Sequence, residues 1–361
     1  MQVADALLNY LSVIFDDTCS TADHLAVALS GGADSMALTL LTKRWCDRHH
    51  KKLTALTVDH QLRAESALEA QQVAAWMRHH RIAHHLLTPD PRPDIPNVQT
   101  RARQMRYDAM IAWCREAGAS ALLLAHHFDD QAETVALQKH RGSSPSSRAG
   151  MALVRLRGDI RLVRPLLGVR KTCLIEMLEQ MEIPWIEDPS NQSDRFARNR
   201  LRGILSDDAI RQLWLDARQA GAERYEEDCA RAEWLARNAT TRQAKQMIDL
   251  RAWYALEETQ RTDILSHAIR HMGGKDFRPR HHETLRLDAR VLKEPEGKAT
   301  LGHCIIRWQN DMLVIEPERT LAAVDSAAYI TPENTPKPLG NAPFWWFNYP
   351  PYNDGANCAP A

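Results

Sequence analysis

Residues 30–35 read Ser30-Gly31-Gly32-Ala33-Asp34-Ser35, between an apolar run (Leu25, Val27, Leu29) and an amphipathic one (Met36, Leu38, Leu40, Leu41). Paired glycines let the backbone curl with its amides pointing inward, and a helix starting just after them aims its unsatisfied N–H groups and positive dipole end at the same spot. That is the layout of a phosphate cradle, although glycine-rich strand-to-helix turns also serve only to redirect the chain. The stretch is neither a Walker loop, which carries Lys after its last glycine, nor a G-x-G-x-x-G dinucleotide fingerprint. Where the Walker lysine would stand there is Asp34. A carboxylate repels phosphate unless a divalent cation lies between them, so the loop implies Mg²⁺ together with a polyphosphate.

A second dense polar stretch runs His126-His127-Phe128-Asp129-Asp130-Gln131-Ala132-Glu133-Thr134 after the buried strand Ala121 to Ala125. His126 leads the turn, and Asp130 and Glu133, three apart, share one helix face. Two carboxylates and an imidazole at the carboxyl end of a strand can hold Mg²⁺ or a cationic substrate. Acids in a first helical turn also complement the helix dipole, and the residues alone do not choose between the two roles. Arg101, Arg103 and Arg106, followed by Tyr107, fit a solvated helix face, or neutralisation of charge on a reacting phosphate.

These residues need a scaffold that brings strand ends together. Leu53 to Val58 is a short strand ending in Asp59-His60-Gln61-Leu62-Arg63, with Val58 and Asp59 beside the glycine loop. Helices are expected over Leu68 to His80, Val98 to Arg115 and from Phe128 onward, and strands over His84 to Leu87, Ala121 to Ala125 and Ile160 to Leu167. The alternation predicts an α/β fold, a doubly wound parallel sheet, over residues 1–214. Helical spacing from Leu215 to His271, unbroken by Gly or Pro between Glu223 and Ile269, predicts a helical domain over 215–300. Gly302 to Trp308 and Met312 to Ile315, joined by Gln309-Asn310-Asp311, predict a hairpin in a small C-terminal region, 301–361, with a proline-rich tail.

Composition narrows the class. A chain of 361 residues with 44% hydrophobic and 25% charged residues is an ordinary globular one, long enough for two domains. Seven scattered cysteines without a C-x-x-C pair argue for reduced thiols and a cytoplasmic protein, and no apolar run is long enough to span a bilayer. Lys+Arg 46 balance Asp+Glu 46, so a nucleic-acid partner would need local basic patches. Two exist: Arg141, Arg148, Arg155, Arg157, Arg161, Arg164 and Arg170 against the single Asp159, and Arg195, Arg198, Arg200 and Arg202. They suit an RNA backbone, as they would also suit solvated loops.

Taken together, the stretches resemble the PP-loop (N-type) ATP pyrophosphatase superfamily and, within it, the tRNA(Ile)-lysidine synthetases. The resemblance rests on S-G-G-A-D-S, V-D-H-Q-L-R (Val58 to Arg63), R-Q-M-R-Y (Arg103 to Tyr107), A-H-H-F-D-D-Q-A-E-T (Ala125 to Thr134), R-P-L-L (Arg164 to Leu167), W-I-E-D-P-S-N (Trp185 to Asn191) and R-N-R-L-R (Arg198 to Arg202), in family order over roughly the first 200 residues. It implies ligation of L-lysine to C2 of the wobble cytidine of an isoleucine tRNA with a CAU anticodon, by way of an adenylated base, with release of pyrophosphate and AMP. By position, it implies that Ser30, Gly31, Gly32, Ala33, Asp34 and Ser35, with Val58 and Asp59, bind ATP, that Asp34 holds Mg²⁺, and that Arg106 and His126 assist adenylation. Asp130 and Glu133, completed by Arg198 and Arg202, would take the lysine.

The chain departs from the family's R-G-S-G loop after Arg141-Gly142-Ser143, where Ser144-Pro145 follows in place of the last glycine, so the shape and tRNA contact of that loop do not carry over. A PP-loop cytidine thiolase is the near alternative, lacking here the C-x-x-C such enzymes use. A non-catalytic RNA-binding protein on a nucleotide fold is the distant one. No protein partner is implied, and a homodimer stays open.

Overall fold

A computed structural model describes residues 2–59, 65–88, 98–140, 149–187, 207–274 and 278–318, with only the backbone described at 65–67, 98–103, 140 and 207. These residues fall into two compact units, the first ending at Arg224 and the second beginning at Tyr225. His60 to Arg63, the Ser144-Pro145 loop, the arm carrying Arg195, Arg198, Arg200 and Arg202, and the tail past residue 318 lie outside the described residues, as do the side chains of Arg101 and Arg103.

The first unit opens with α1 (Gln2–Cys19), then β1 (His24–Ala28), α2 (Ala33–Arg48), β2 (Lys52–Val58), α3 (Glu65–His79), β3 (Ala83–Leu87), α4 (Val98–Ala117), β4 (Ala121–Leu123) and α5 (Phe128–His140). It continues with β5 (Val154–Arg157), β6 (Ile160–Val163), a 3-10 turn over Pro165–Gly168 and α6 (Lys171–Gln180). The sheet order is β3-β2-β1-β4-β6-β5. Every pairing is parallel except the edge hairpin of β5 with β6. The central strands read as continuous apolar runs (Leu25, Ala26, Val27; Leu122, Leu123) because helices cover both faces of a parallel sheet. Met110, Ile111 and Cys114 of α4 pack on one face with Ala26, Leu56, Leu122 and Leu162.

Two sequence expectations shift here. The strand expected over Ile160 to Leu167 stops at Val163, because Pro165 cannot donate to a ladder and starts the 3-10 turn. Arg155 and Arg157 lie on β5, a strand the sequence pattern did not reveal.

In the second unit the helical stretch expected over 215–300 is interrupted by two strands at 239–249. The long helix α7 (Asp207–Asn238), whose residues up to Arg224 belong to the first unit, ends at a hairpin, β7 (Ala239–Arg242) and β8 (Lys245–Asp249), followed by α8 (Leu250–Tyr254), α9 (Glu258–Met272) and α10 (His281–Lys293). The expected C-terminal hairpin, here β10 (Cys304–Gln309) and β11 (Met312–Pro317), is present and gains β9 (Gly297–Leu301), giving an antiparallel sheet of order β7-β8-β11-β10-β9. Gly302, expected inside a strand, instead forms the β9–β10 turn with His303, both at positive φ. Trp253 and Trp308 fill the core of this unit with Ile264, Leu265 and Ile269. Among the described residues no helix is long and apolar enough to cross a membrane.

Candidate active site

In an open α/β sheet, ligands settle outside the carboxyl ends of the strands where the strand order reverses. Here the order reverses between β1 and β4, and the loops leaving those two strands are the glycine loop and the His126–Asp130 turn. Two stretches distant in sequence therefore emerge side by side, because β1 and β4 pair directly through Leu25 to Val27.

The glycine loop is held by hydrogen bonds from its own serines and from Ile186. Ser35 Oγ donates to Gly32 O at 2.9 Å and accepts from Ser30 N at 3.2 Å, drawing the curl closed. Gly31 has φ +86°, and its carbonyl accepts from Ile186 N at 2.9 Å. Gly32 is the N-cap of α2, and no side chain caps that end, so the first-turn amides stay available to an anion. Ala33 and Ser35 are buried, whereas Ser30 is exposed and Gly32 and Asp34 are half-buried. A Cβ on Gly31 would come within 2.7 Å of Val73 Cγ2 and 2.8 Å of Ile186 Cδ1, while one on Gly118, also at positive φ, would meet nothing within 4 Å. We expect Gly118→Ala to cost about 1–2 kcal/mol of backbone strain and Gly31→Ala about 1–3 kcal/mol more from overpacking. Parallel thermal melts check this, and equal losses would show that the packing around Gly31 is loose.

Opposite the loop, one imidazole gathers the charges. His127 is buried, with Nδ1 3.3 Å from Asp129 Oδ2 and Nε2 3.6 Å from Asp130 Oδ2 and 3.7 Å from Asp34 Oδ2. Burial alone would lower its pKa, but the close Asp129 carboxylate and the charges of Asp130 and Asp34 raise it, favouring the imidazolium. Burial would likewise raise the Asp129 carboxyl. His127, the Lys171 amide at 2.9 Å and the Arg170 guanidinium together hold it well below the usual carboxylate range. Arg170 also lies over the Phe128 ring, 5.3 Å from its centroid, and Phe128 stacks on Trp214 at 6.1 Å. Lys171 Nζ sits 3.4 Å from Asp34 Oδ2.

Among the expected residues, Asp34 and Asp130 meet at His127. Asp130 Oδ2 also accepts the His127 backbone amide at 3.1 Å, so it caps α5 as well. Glu133 is buried one turn on, and His126 is half-buried beside His127. Arg106 is half-buried on α4, its guanidinium 6.0 Å from the Tyr107 ring. Val58 ends β2, and the Asp59 amide donates to Leu87 O at 2.9 Å. His127, Asp129 and Lys171 were not singled out from sequence. Lys171 had a signal, for it opens a helix whose N-cap is Arg170, and two cations at the positive end of a helix dipole are locally unfavourable.

Much of the first basic patch is engaged internally. Arg157 pairs with Asp108 at 3.0 Å, Arg161 donates to Thr21 Oγ1 at 3.1 Å, and the buried Arg164 donates to Ala152 O at 2.9 Å. Arg155 remains exposed.

The donor set also bears on a cation. Among the described residues no group of three or more His, Cys, Asp or Glu forms a metal cage. Asp34 Oδ1 is buried and has no hydrogen-bond partner among them. One orphaned carboxylate oxygen beside a phosphate loop fits Mg²⁺, which takes one or two carboxylates and completes its shell with phosphate oxygens and water.

The parallel sheet with its glycine loop at the switch point defines a nucleotide-binding protein of the PP-loop class, and residues 4–208 match the family model described as a PP-loop domain. The chain is 32% identical to a tRNA(Ile)-lysidine synthase of Ruegeria pomeroyi over 85% of its own length and 73% of that protein, and 34% identical to one of Methylobacterium nodulans over 82% and 91%. It is 39% identical to one of Novosphingobium aromaticivorans over 58% of the chain, spanning 64% of that relative. The chain belongs to the tRNA(Ile)-lysidine synthase family. A solved structure of the U34-tRNA thiolase NcsA from Methanococcus maripaludis with its [4Fe-4S] cluster shares the fold, with TM-score 0.51 and 14% identity over 62% of this chain and 79% of that one.

Proposed function

We propose that this protein joins L-lysine to C2 of the wobble cytidine of tRNA(Ile) bearing the CAU anticodon, with ATP consumed to AMP and pyrophosphate. The observation that carries the reading is the meeting of the loop carboxylate Asp34 and the helix carboxylate Asp130 on one imidazole, His127. A phosphate cradle and an anionic amine pocket thus share one site. Membership of the lysidine synthase family supports the same chemistry.

In the first step the cytidine O2 attacks the α-phosphorus of ATP and the bond to the β-phosphate oxygen breaks. Ser30 to Ser35, through their amides and hydroxyls, hold the phosphates, with Val58 and Asp59 at the neighbouring strand end. Mg²⁺ bound at Asp34 would neutralise charge on the phosphates. Arg106 and His126 stabilise the charge that builds as pyrophosphate departs. In the second step the lysine ε-amine attacks C2, the C2–O bond breaks and AMP leaves. Asp130 and Glu133 attract the ammonium form and orient it, and Asp130, half-buried, takes the proton that the amine sheds. Arg198 and Arg202 complete the lysine site in this reading.

AMP release with lysine and Mg·ATP should proceed on an isoleucine tRNA with CAU and fall by more than about a hundredfold when the wobble cytidine is changed to uridine, because a site shaped for one base edge leaves buried polar groups unpaired against the other. Equal activity on both transcripts, or a product that needs sulfide instead of lysine, would overturn the assignment.

A further inference from the structure

Lys171 is a cation placed against the local preference of its helix. It is the first residue of α6, with Arg170 at the N-cap and no acid in the first turn, so the helix dipole repels both charges. The Arg170 charge is answered, since its guanidinium faces Asp129 at 3.8 Å and covers the Phe128 ring. Asp129 also accepts the Lys171 amide at 2.9 Å, which anchors the start of α6 and aims the Lys171 side chain at the glycine loop. Its ammonium meets Asp34 at a single oxygen, Oδ2, at 3.4 Å, which also faces the buried His127 ring at 3.7 Å, and leaves Oδ1 without a partner among the described residues. The two side chains keep 34% and 25% of their exposure, so the pair is loose enough to part.

We propose that Lys171 is an exchangeable counter-ion. It occupies Asp34 while the site is empty, yields that carboxylate to the divalent cation, and then pairs with the phosphates that arrive with it. The inference rests on the reading of the glycine loop as an ATP site. An ammonium and a divalent cation cannot share one half-buried carboxylate without strong repulsion. Once Asp34 is taken, the favourable destination for a flexible four-carbon ammonium beside the loop is the bound polyphosphate. The same residue should therefore oppose cation binding in the absence of nucleotide and favour it in its presence.

The test uses Mn²⁺ as a spin probe for the cation, with the full chain and no tRNA. Lys171→Met should bind Mn²⁺ alone about two- to fivefold more tightly, because a competitor of exposed-pair strength is gone. It should bind Mn·ATP about tenfold or more weakly, because a charge-assisted phosphate contact is lost. Lys171→Arg, which keeps the charge, should stay within a few-fold of wild type in both. A residue that only holds the fold would move both affinities the same way, so shifts of the same sign, or any outcome other than opposite shifts, overturn the inference. Wild-type protein that fails to bind Mn·ATP would remove the ATP-site reading itself, and this inference with it.

Discussion

Asp34→Ala is expected to reduce pyrophosphate and AMP formation by at least roughly 10³-fold with the melting temperature nearly unchanged. The size follows from losing a preorganised electrostatic element at a phosphoryl centre, where one such group is worth about 10²–10³ in rate and the cation it positions acts on the same charge. The small stability effect follows from exposure. Asp34 keeps a quarter of its side-chain surface, and its contact with Lys171 is a single oxygen at 3.4 Å, a pair worth about 0–1 kcal/mol, while the buried His127 ring, 3.7 Å from that oxygen, keeps Asp129 and Asp130 when Asp34 is gone. Asp34→Asn, of the same size and without charge, should fail in the same way, which separates charge from shape. Pyrophosphate release and a parallel melt check both variants. Turnover near wild type in either would take the cation site away from Asp34.

The lesson from the first unit is that strand ends are easy to read while the facing of side chains across them is not. Buried parallel strands announce themselves as short apolar runs, and both polar loops sit at their carboxyl ends, so the α/β sheet, the glycine loop and the Asp130 turn were legible. Spacing does not tell which of two adjacent histidines turns inward. His127 does, because Asp129 on one side and Asp34 and Asp130 on the other surround its ring, and two of those three acids lie within three residues of it. Lys171 reaches the site across more than a hundred residues of chain, a contact that only the packing of α6 beside α2 creates.

The second unit shows the limit of turn chemistry. The β10–β11 hairpin turns at Asn310-Asp311, residue types that accept positive φ, and it was read from the sequence. The β7–β8 hairpin turns at Gln243-Ala244, also both at positive φ, where neither residue type signals a turn. Its strands Ala239–Arg242 and Lys245–Asp249 lie in a stretch of helix-forming composition. What holds them is tertiary: β8 pairs with β11 from Gln246 to Asp249, and Ile248 is fully buried.

Asp130 is the residue at which two physical roles coincide, and one substitution separates them. Its Oδ2 caps α5 by accepting the His127 amide at 3.1 Å, a role that an asparagine side-chain oxygen fills equally well. Its negative charge, facing the His127 ring, is what an incoming ammonium would feel. Asp130→Asn therefore keeps the cap and removes the charge. Loss of a directly paired ammonium contact is worth about 2–5 kcal/mol, so the lysine concentration needed for half-maximal AMP release should rise roughly 30- to 5,000-fold. ATP–pyrophosphate exchange on the CAU tRNA, which reads only the adenylation step, should change by no more than a few-fold, and the melting temperature should stay above that of Asp130→Ala. Asp130→Ala should show the same lysine defect plus a loss of about 1 kcal/mol in stability, the ordinary value of a missing cap. If both variants keep the wild-type lysine dependence and only the alanine melts earlier, Asp130 is a helix cap and the amine is bound elsewhere.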